Sequence, residues 1–206
     1  MLDFFRELCE QKGDKSKLVS VLTDAQRATQ DAGQKKELAA EIARAAEAQD
    51  NAQKAIEQYK SLLRADPNDA CAQTALKRLY AQTDNHSALV DLLKHEAERV
   101  PADAPEQKAE VLRQVAGIYR DKLKNEQALV QILSQIVQVA PDDEESLREL
   151  VKIYGNLGRF RDLLACQQKL AEITKDEDER AELYRAVARR WAEQFYDMDP
   201  GSGAPR

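Results

Sequence analysis

The chain has 206 residues and a net charge of −6, so no overall basic field attracts nucleic acid or an acidic membrane surface. Its residues are 43% apolar and 33% charged, with only 7 Gly and 6 Pro, and this composition is typical of helix-rich proteins. Three cysteines lie far apart, and no secretory or membrane-spanning segment stands out. We therefore expect reduced thiols in a cytoplasmic protein.

Apolar residues recur at i, i+3 or i+4, and i+7 along nearly the whole chain, and alternating strand patterns are absent. Prolines and short polar breaks such as "QTDN" and "NLGR" separate the periodic segments. The pattern predicts an all-α fold of about eleven helices with antiparallel neighbours. The predicted ranges are 2–12, 16–31, 34–49, 51–65, 69–83, 86–99, 105–123, 125–139, 143–156, 159–174 and 177–196.

Two stretches of the chain share one outline. The segment "LKRLYAQTDNHSALVDLLKHE" matches "LVKIYGNLGRFRDLLACQQKL", with Leu76 over Leu150 and Tyr80 over Tyr154, each 74 residues apart. Matches elsewhere give a unit of about 72 residues, which contains four helices and divides into two helix pairs. A helix pair cannot bury its apolar face alone, so the repeat predicts a stacked solenoid.

These pairs resemble the tetratricopeptide-repeat family over residues 1–196. In that family a small residue and a Tyr lie one turn apart on the first helix, a small residue opens the second helix and a proline closes the pair. Ala55, Tyr59 and Pro67 fit the second helix of one pair here. Pro67 and Pro101 are 34 residues apart, which is the family's period. The resemblance implies a right-handed superhelical solenoid of stacked antiparallel helix pairs that binds proteins and is not an enzyme. The alternation of strict and loose helix pairs in this chain is similar to that of long bacterial tetratricopeptide scaffolds, some of which organise motility and cell-polarity machinery.

The sequence departs from the family pattern at several positions. Lys77 and Val151 stand where a small residue is expected, and the pair that ends at Pro141 is stretched, 40 residues after Pro101. We expect one solenoid domain over 1–196, followed by a flexible tail or linker at 197–206. Because the last helix has no partner in the pattern, we also expect this chain to be a segment of a longer solenoid.

Basic residues recur on the first helix of each predicted pair. The family resemblance places a concave groove on the side of these helices opposite the packing stripe. Arg113, Arg148 and Arg185 are spaced 35 and 37 residues apart on that side, so they occupy the same place in three pairs. The predicted groove residues are Arg44, Arg78, Arg113, Arg120, Arg148, Lys152, Arg185 and Arg189. Guanidinium groups bind carboxylates in pairs of hydrogen bonds, which favours an acidic partner.

A second interpretation of the same residues stays open. Glu110, Glu145 and Glu182 each lie three residues before an arginine of this set, which is the spacing of a salt bridge on a helix. These pairs would then only keep an exposed face soluble. The sequence does not decide between a solvated face and a binding stripe.

The last predicted helix carries large apolar side chains. Trp191, Phe195 and Tyr184 are predicted to form an end face that the next helix of the solenoid would cover. Such a surface favours weak homodimers through the solenoid ends.

Catalytic and metal-binding patterns are absent from the sequence. His86 and His95 are nine residues apart on one predicted helix and point to opposite sides, and no glycine-rich phosphate loop occurs. No cofactor or metal is predicted. The leading function is a scaffold that binds a partner protein in its groove, either as an acidic peptide or as a folded regulator such as a small GTPase. The alternative is a structural spacer or self-assembly element that acts through its ends.

Overall fold

The computed structural model describes Glu7 and residues 14–195, without the side chains of Lys15 and residues 193–195. In this part the chain forms ten α-helices and no strand. The helices are α1 (Lys15–Ala28), α2 (Ala32–Glu47), α3 (Ala52–Ala65), α4 (Ala70–Gln82), α5 (His86–Arg99), α6 (Pro105–Ile118), α7 (Glu126–Val139), α8 (Glu144–Asn156), α9 (Phe160–Ile173) and α10 (Glu177–Phe195). The predicted helix 2–12 lies outside the described residues, apart from Glu7.

The all-α prediction is confirmed, and most helix bounds agree within two residues. Apart from the predicted helix 105–123, which is treated below, the largest difference is at the predicted helix 16–31, where α1 ends at Ala28. Thr29 adopts an extended backbone, and the Asp31 carboxylate accepts a hydrogen bond from the Gln34 amide at 2.7 Å. Thr29 and Asp31 therefore lie at helix ends and do not extend α1. Short polar side chains compete with the backbone hydrogen bonds of a helix and so favour its ends.

The helices form two compact units that divide between Leu92 and Leu93, inside α5. Within the first unit α1 packs on α2, α2 on α3, and α3 on α4; within the second, α6 packs on α7, α7 on α8, α8 on α9, and α9 on α10. Short connections make these neighbours antiparallel. The predicted stacking of antiparallel helix pairs is therefore confirmed within each unit. We call α2, α4, α6, α8 and α10 the first helices and the others the second helices.

Small residues let the helices of the first unit approach closely. Ala43 and Ala46 on α2 and Ala55 on α3 are completely buried, and Tyr59 is nearly so. Ala55 and Tyr59 are residues on which the family resemblance rests, and both belong to the core. Burial of apolar surface of this kind contributes about 25 cal/mol per Å² and is the main force that holds helix to helix.

The turns inside the pairs share one backbone. In each of four turns one residue adopts the left-handed conformation. The backbone N–H of the residue that follows it donates a hydrogen bond to a backbone carbonyl near the end of the first helix. In three of the turns an Asn follows and caps the second helix through its side-chain oxygen. The left-handed residues are Asp50, Asp84, Lys124 and Gly158, with φ angles of 54°, 52°, 49° and 65°.

The stretched pair contains a π-helical segment. The predicted helix 105–123 is α-helical only to Ile118, and Tyr119–Leu123 form a π-helix of five residues. The Asn125 amide bonds the Tyr119 carbonyl six residues back, whereas the equivalent bond in the other three turns spans five residues. One inserted residue is therefore absorbed here. The other residues that lengthen this pair lie mostly in α6 before Tyr119, where they add about one helical turn.

Gly117 lies in α6, where a β-carbon would meet no atom within 4 Å. Glycine inside a helix is less stable than alanine because it loses more backbone entropy on folding. We expect Gly117→Ala to raise the free energy of unfolding by about 0.5–1 kcal/mol in urea denaturation. Gly158→Ala is the matched control and should destabilise, because Gly158 has a φ of 65°. A loss of stability in Gly117→Ala would contradict this account of α6.

Candidate partner-binding surface

The predicted groove residues all lie on first helices or directly after them. Arg44 is on α2 and Arg78 on α4; Arg113 is on α6, and Arg120 is in the π-helical segment that follows it. The remaining four are Arg148 and Lys152 on α8, and Arg185 and Arg189 on α10. Within each unit we call the outward side of these helices the first-helix face of that unit.

In the first unit, ion pairs join α2 to α4. The guanidinium of Arg78 on α4 binds the Glu47 carboxylate at the end of α2. At the other end of α2, the Lys36 ammonium lies 3.0 Å from Asp66 in the loop before α4. Arg44 makes no such bridge in the described part of the chain; its Nε donates to the Ala40 carbonyl at 3.2 Å, and the residue lines a cavity of about 890 Å³.

Arg113 is the centre of a denser network in the second unit. Its Nε donates to Asp143 at 2.7 Å, and its Nη1 donates to Glu106 at 2.9 Å and Glu110 at 3.1 Å. Asp143 also caps α8, because its carboxylate accepts from the Ser146 amide at 2.9 Å. Arg113 therefore fixes the start of one first helix against the middle of the preceding one.

The pKa values of this pair show how the network holds its charges. Burial opposes the charged form of Arg113, but the hydrogen bonds that it donates to Glu106, Asp143 and Glu110 outweigh burial and raise its pKa. Burial also acts to raise the pKa of Asp143, but hydrogen bonds from Ser146 and Arg113 outweigh it and lower that pKa. Both groups are thus held in their charged forms.

Two further arginines bridge successive first helices. Arg120 binds both oxygens of Glu149 on α8, with a distance of 2.7 Å from its Nε to Oε1. Arg148 on α8 donates to Glu144 at 2.8 Å and to Glu179 on α10 at 2.6 Å. Intrahelical pairing was predicted between Arg148 and Glu145, but the structure selects Glu144, one turn back at i−4. The pairs of Glu110 with Arg113 and of Glu182 with Arg185 occur as predicted.

The first-helix face is therefore largely charge-compensated. Among the eight predicted residues, Arg78, Arg113, Arg120, Arg148 and Arg185 are in ion pairs. Lys152 and Arg189 are exposed and make no ion pair with a residue that the structure describes. The sequence could not reveal the pairs between helices, because they depend on how successive helices are aligned.

The predicted end face is partly described. Tyr184 and Trp191 on α10 expose 45% and 51% of their surfaces, and Trp191 takes part in at least one side-chain interaction. They lie seven residues apart, so they share one side of the helix. The side chain of Phe195 lies outside the described residues.

The side chains singled out for chemistry have ordinary surroundings. His86 lies 3.4 Å from Asp84 and His95 lies 3.3 Å from Glu98. Burial raises the pKa of the Cys166 thiol, which makes a nucleophilic thiolate less available. In the described part of the chain no cluster of His, Cys, Asp and Glu is arranged to hold a metal ion. Among the described helices none is both long and apolar enough to cross a membrane.

No family model matches the chain. No curated protein matches it either. Solved structures of MamA match most of its length: one, described as a crystal structure of MamA, is 16% identical with a TM-score of 0.42 and covers 84% of this chain and 95% of its own. A structure of MamA AMB-1 is 19% identical with a TM-score of 0.42 and covers 90% and 96%. MamA from Desulfovibrio magneticus RS-1 is 15% identical with a TM-score of 0.40 and covers 90% and 94%.

The Asp143 network generates a pH-dependent prediction. Asn caps helices as well as Asp does, so Asp143→Asn keeps the cap and removes only the charge that Arg113 binds. We expect the variant to lose about 1 kcal/mol of unfolding free energy at pH 7. Since the folded pKa of Asp143 lies below its ordinary value of 3.8, the contribution is complete above that value and disappears as the pH falls through the folded pKa.

The measurement is urea denaturation of both proteins between pH 7 and pH 2.5. The difference between them should narrow in acid. Asp176→Asn is the matched control, because Asp176 also accepts a capping hydrogen bond, from the Glu179 amide at 2.8 Å, and forms no ion pair with a described residue. A difference for Asp143→Asn that is independent of pH would mean that the Arg113 pair does not stabilise the fold.

Proposed function

We propose that the chain is a non-enzymatic protein-interaction module built from tetratricopeptide-type helix pairs, and that it binds an acidic segment of a partner along the first-helix face of the second unit. The observation that carries this proposal is the open space above Gly117. Arg113 lies four residues before Gly117 and Arg120 lies three residues after it, so the three residues share one side of the helix. A β-carbon there would touch nothing, so packing does not require glycine.

Gly155 on α8 leaves the same open space, so neither glycine is required by packing, and both would let a ligand approach the helix backbone. Because Gly117 has no side chain, the backbone of α6 is accessible between the two guanidinium groups, and an extended segment can lie close to it. Natural proteins retain such locally unfavourable residues where function requires them.

The ion pairs support this role by fixing the cations in place. Arg120 uses two of its five N–H donors for Glu149, and the others remain to bind a partner. A side chain that is already ordered loses less entropy on binding. Lys152 and Arg189 add charge that no described residue compensates, and this charge favours an acidic partner.

The test reverses charge where the fold tolerates it. Arg148 is unsuitable because Arg148→Glu would place three carboxylates together with Glu144 and Glu179. Arg185 and Arg189 are exposed, and the one ion pair that Arg185 forms with a described residue is to Glu182 of its own helix. We expect Arg185→Glu/Arg189→Glu to weaken binding of acidic peptides at least tenfold, with helicity by circular dichroism unchanged.

Binding is measured by fluorescence anisotropy with synthetic peptides rich in Glu and Asp and interspersed with Leu. The control Lys169→Glu/Lys175→Glu makes the same change of net charge on exposed residues in and after α9, a second helix. Equal loss in both double variants would indicate a general charge effect and not a site on the first-helix face. Absence of binding to the wild-type protein in 50 mM and 150 mM salt would refute the proposal.

A second candidate function is self-assembly through the end of the second unit. The observation that favours it is the exposure of Tyr184 and Trp191 on one side of α10. Large aromatic side chains supply much of the energy of protein interfaces. A second copy of the chain is the occupant that this alternative requires.

Sedimentation velocity tests the alternative. We expect concentration-dependent dimers that Trp191→Glu removes, because the substitution places a charge in an apolar contact. Leu157→Glu is the matched control, since Leu157 is equally exposed, at 51%, but lies in the turn between α8 and α9. A wild-type protein that stays monomeric at high concentration would exclude self-assembly as the function.

A further inference from the structure

A cavity of about 280 Å³ opens in the second unit between the end of α6 and the last turns of α8. Its apolar lining consists of Tyr119, Leu129 and Ile153, of which the last two are buried. Polar and charged side chains complete it. They are Arg120, Lys124, Glu126, Glu149, Lys152 and Asn156. The volume suits one or two amino-acid side chains and is below that of sites for drug-sized ligands.

The charges around this cavity do not cancel one another. Both carboxylate oxygens of Glu149 accept hydrogen bonds from Arg120, so that pair is complete. Glu126 is exposed in the first turn of α7, where the positive helix end stabilises a carboxylate. Lys124 and Lys152 are exposed, and neither forms an ion pair with a residue that the structure describes. The cavity thus retains one net positive charge, with two ammonium groups at its rim.

Lys124 occupies a backbone position that disfavours lysine. Its φ of 49° lies in the left-handed region, which residues other than Gly, Asn and Asp rarely adopt. The equivalent residues of the other three turns are Asp50, Asp84 and Gly158, which all accept this conformation readily. The turn that breaks the rule is also the one that follows the π-helical segment, and rare backbone of that kind is frequent at functional sites.

The apolar surface continues beyond the cavity. Asn156 ends α8 at the rim, and the next residue, Leu157, exposes 51% of its surface. A ligand that places one negative charge between the lysines can therefore rest an adjacent apolar side chain on Leu157 or on the cavity floor. A group with two negative charges fits less well, because Glu126 and Glu149 also line the cavity.

We propose that this cavity binds the side-chain carboxylate of a Glu or Asp in a partner peptide, with Lys124 as the residue that selects the charge and Lys152 as a second cation in the lining. The inference rests on the proposed function and specifies where on the first-helix face the acidic segment is anchored. Asn156 supplies an amide that can donate to the same carboxylate. Lys124 accepts an unfavourable backbone conformation because its charge is needed at this rim.

The experiment compares binding and stability in the same variants. The probes are peptides blocked at both ends with one internal Glu flanked by leucines, the same peptides with Gln in place of Glu, and a series whose only carboxylate is a free C-terminus. We expect the Glu series to bind wild type about tenfold more tightly than the Gln series. Lys124→Asn and Lys152→Gln should each reduce that preference about fivefold or more.

Stability provides the second readout. Asn accepts the left-handed conformation, so Lys124→Asn should leave the thermal midpoint unchanged or raise it while binding falls. Lys122→Gln is the control: it removes the same charge two residues away, in the π-helical segment and outside the lining of the cavity, and should leave binding unchanged.

Three outcomes would overturn the inference. If Lys124→Asn and Lys152→Gln both bind the Glu series with wild-type affinity, this cavity is excluded as the site. The proposed function would still hold in that case if Arg185→Glu/Arg189→Glu lost binding. Tighter binding of the free C-terminus than of the Glu series would assign the cavity to a terminal carboxylate instead. If no acidic peptide binds the wild-type protein, the proposed function fails together with this inference.

Discussion

The structure depends on one constraint, which is that each helix must bury an apolar stripe against the helices next to it in sequence. Leu22, Ile42, Leu76, Leu133, Leu150 and Leu163 are all essentially inaccessible to solvent, and they are distributed over the two units. Because the helices of each unit pack on their chain neighbours, the core of each unit is assembled from local contacts. The outward side of the first helices contributes little to that core, so its residues are free to serve other purposes.

Ion pairs occupy much of that outward side, and they also limit what can bind to it. Arg113 and Asp143, Arg120 and Glu149, and Arg148 and Glu179 connect successive first helices and fix their spacing. Exposed pairs of this kind contribute only about 0–1 kcal/mol each, so their main effect is on geometry. A partner that relied on charge alone would have to compete with carboxylates already in place. The proposed binding of an acidic segment therefore relies on the cations that no described residue compensates, such as Lys152 and Arg189.

The sequence predicted the helices well because helix periodicity and breaking residues are local signals. The range predicted for α5, 86–99, agrees at both ends, and the turn after Ala28 was missed because Thr29 and Asp31 are tolerated in helices but act here as caps. The π-helical segment could not be predicted, since an inserted residue leaves the apolar spacing of "YRDKL" almost unchanged. The candidate arginines were placed on the correct helices, but their partners on the next helix depend on tertiary alignment.

Residues that fit the fold poorly are the most informative about function in a chain without catalytic motifs. Gly117 and Lys124 are both unfavourable choices for their backbone positions. Gly117 lies inside a helix where a side chain would fit, and Lys124 has a left-handed backbone at a position where the three equivalent turns have Asp or Gly. They lie close in sequence, on either side of the Arg120 pair with Glu149. Both residues lie in the part of the second unit to which the proposed binding of an acidic segment refers, and Lys124 forms no ion pair with a described residue.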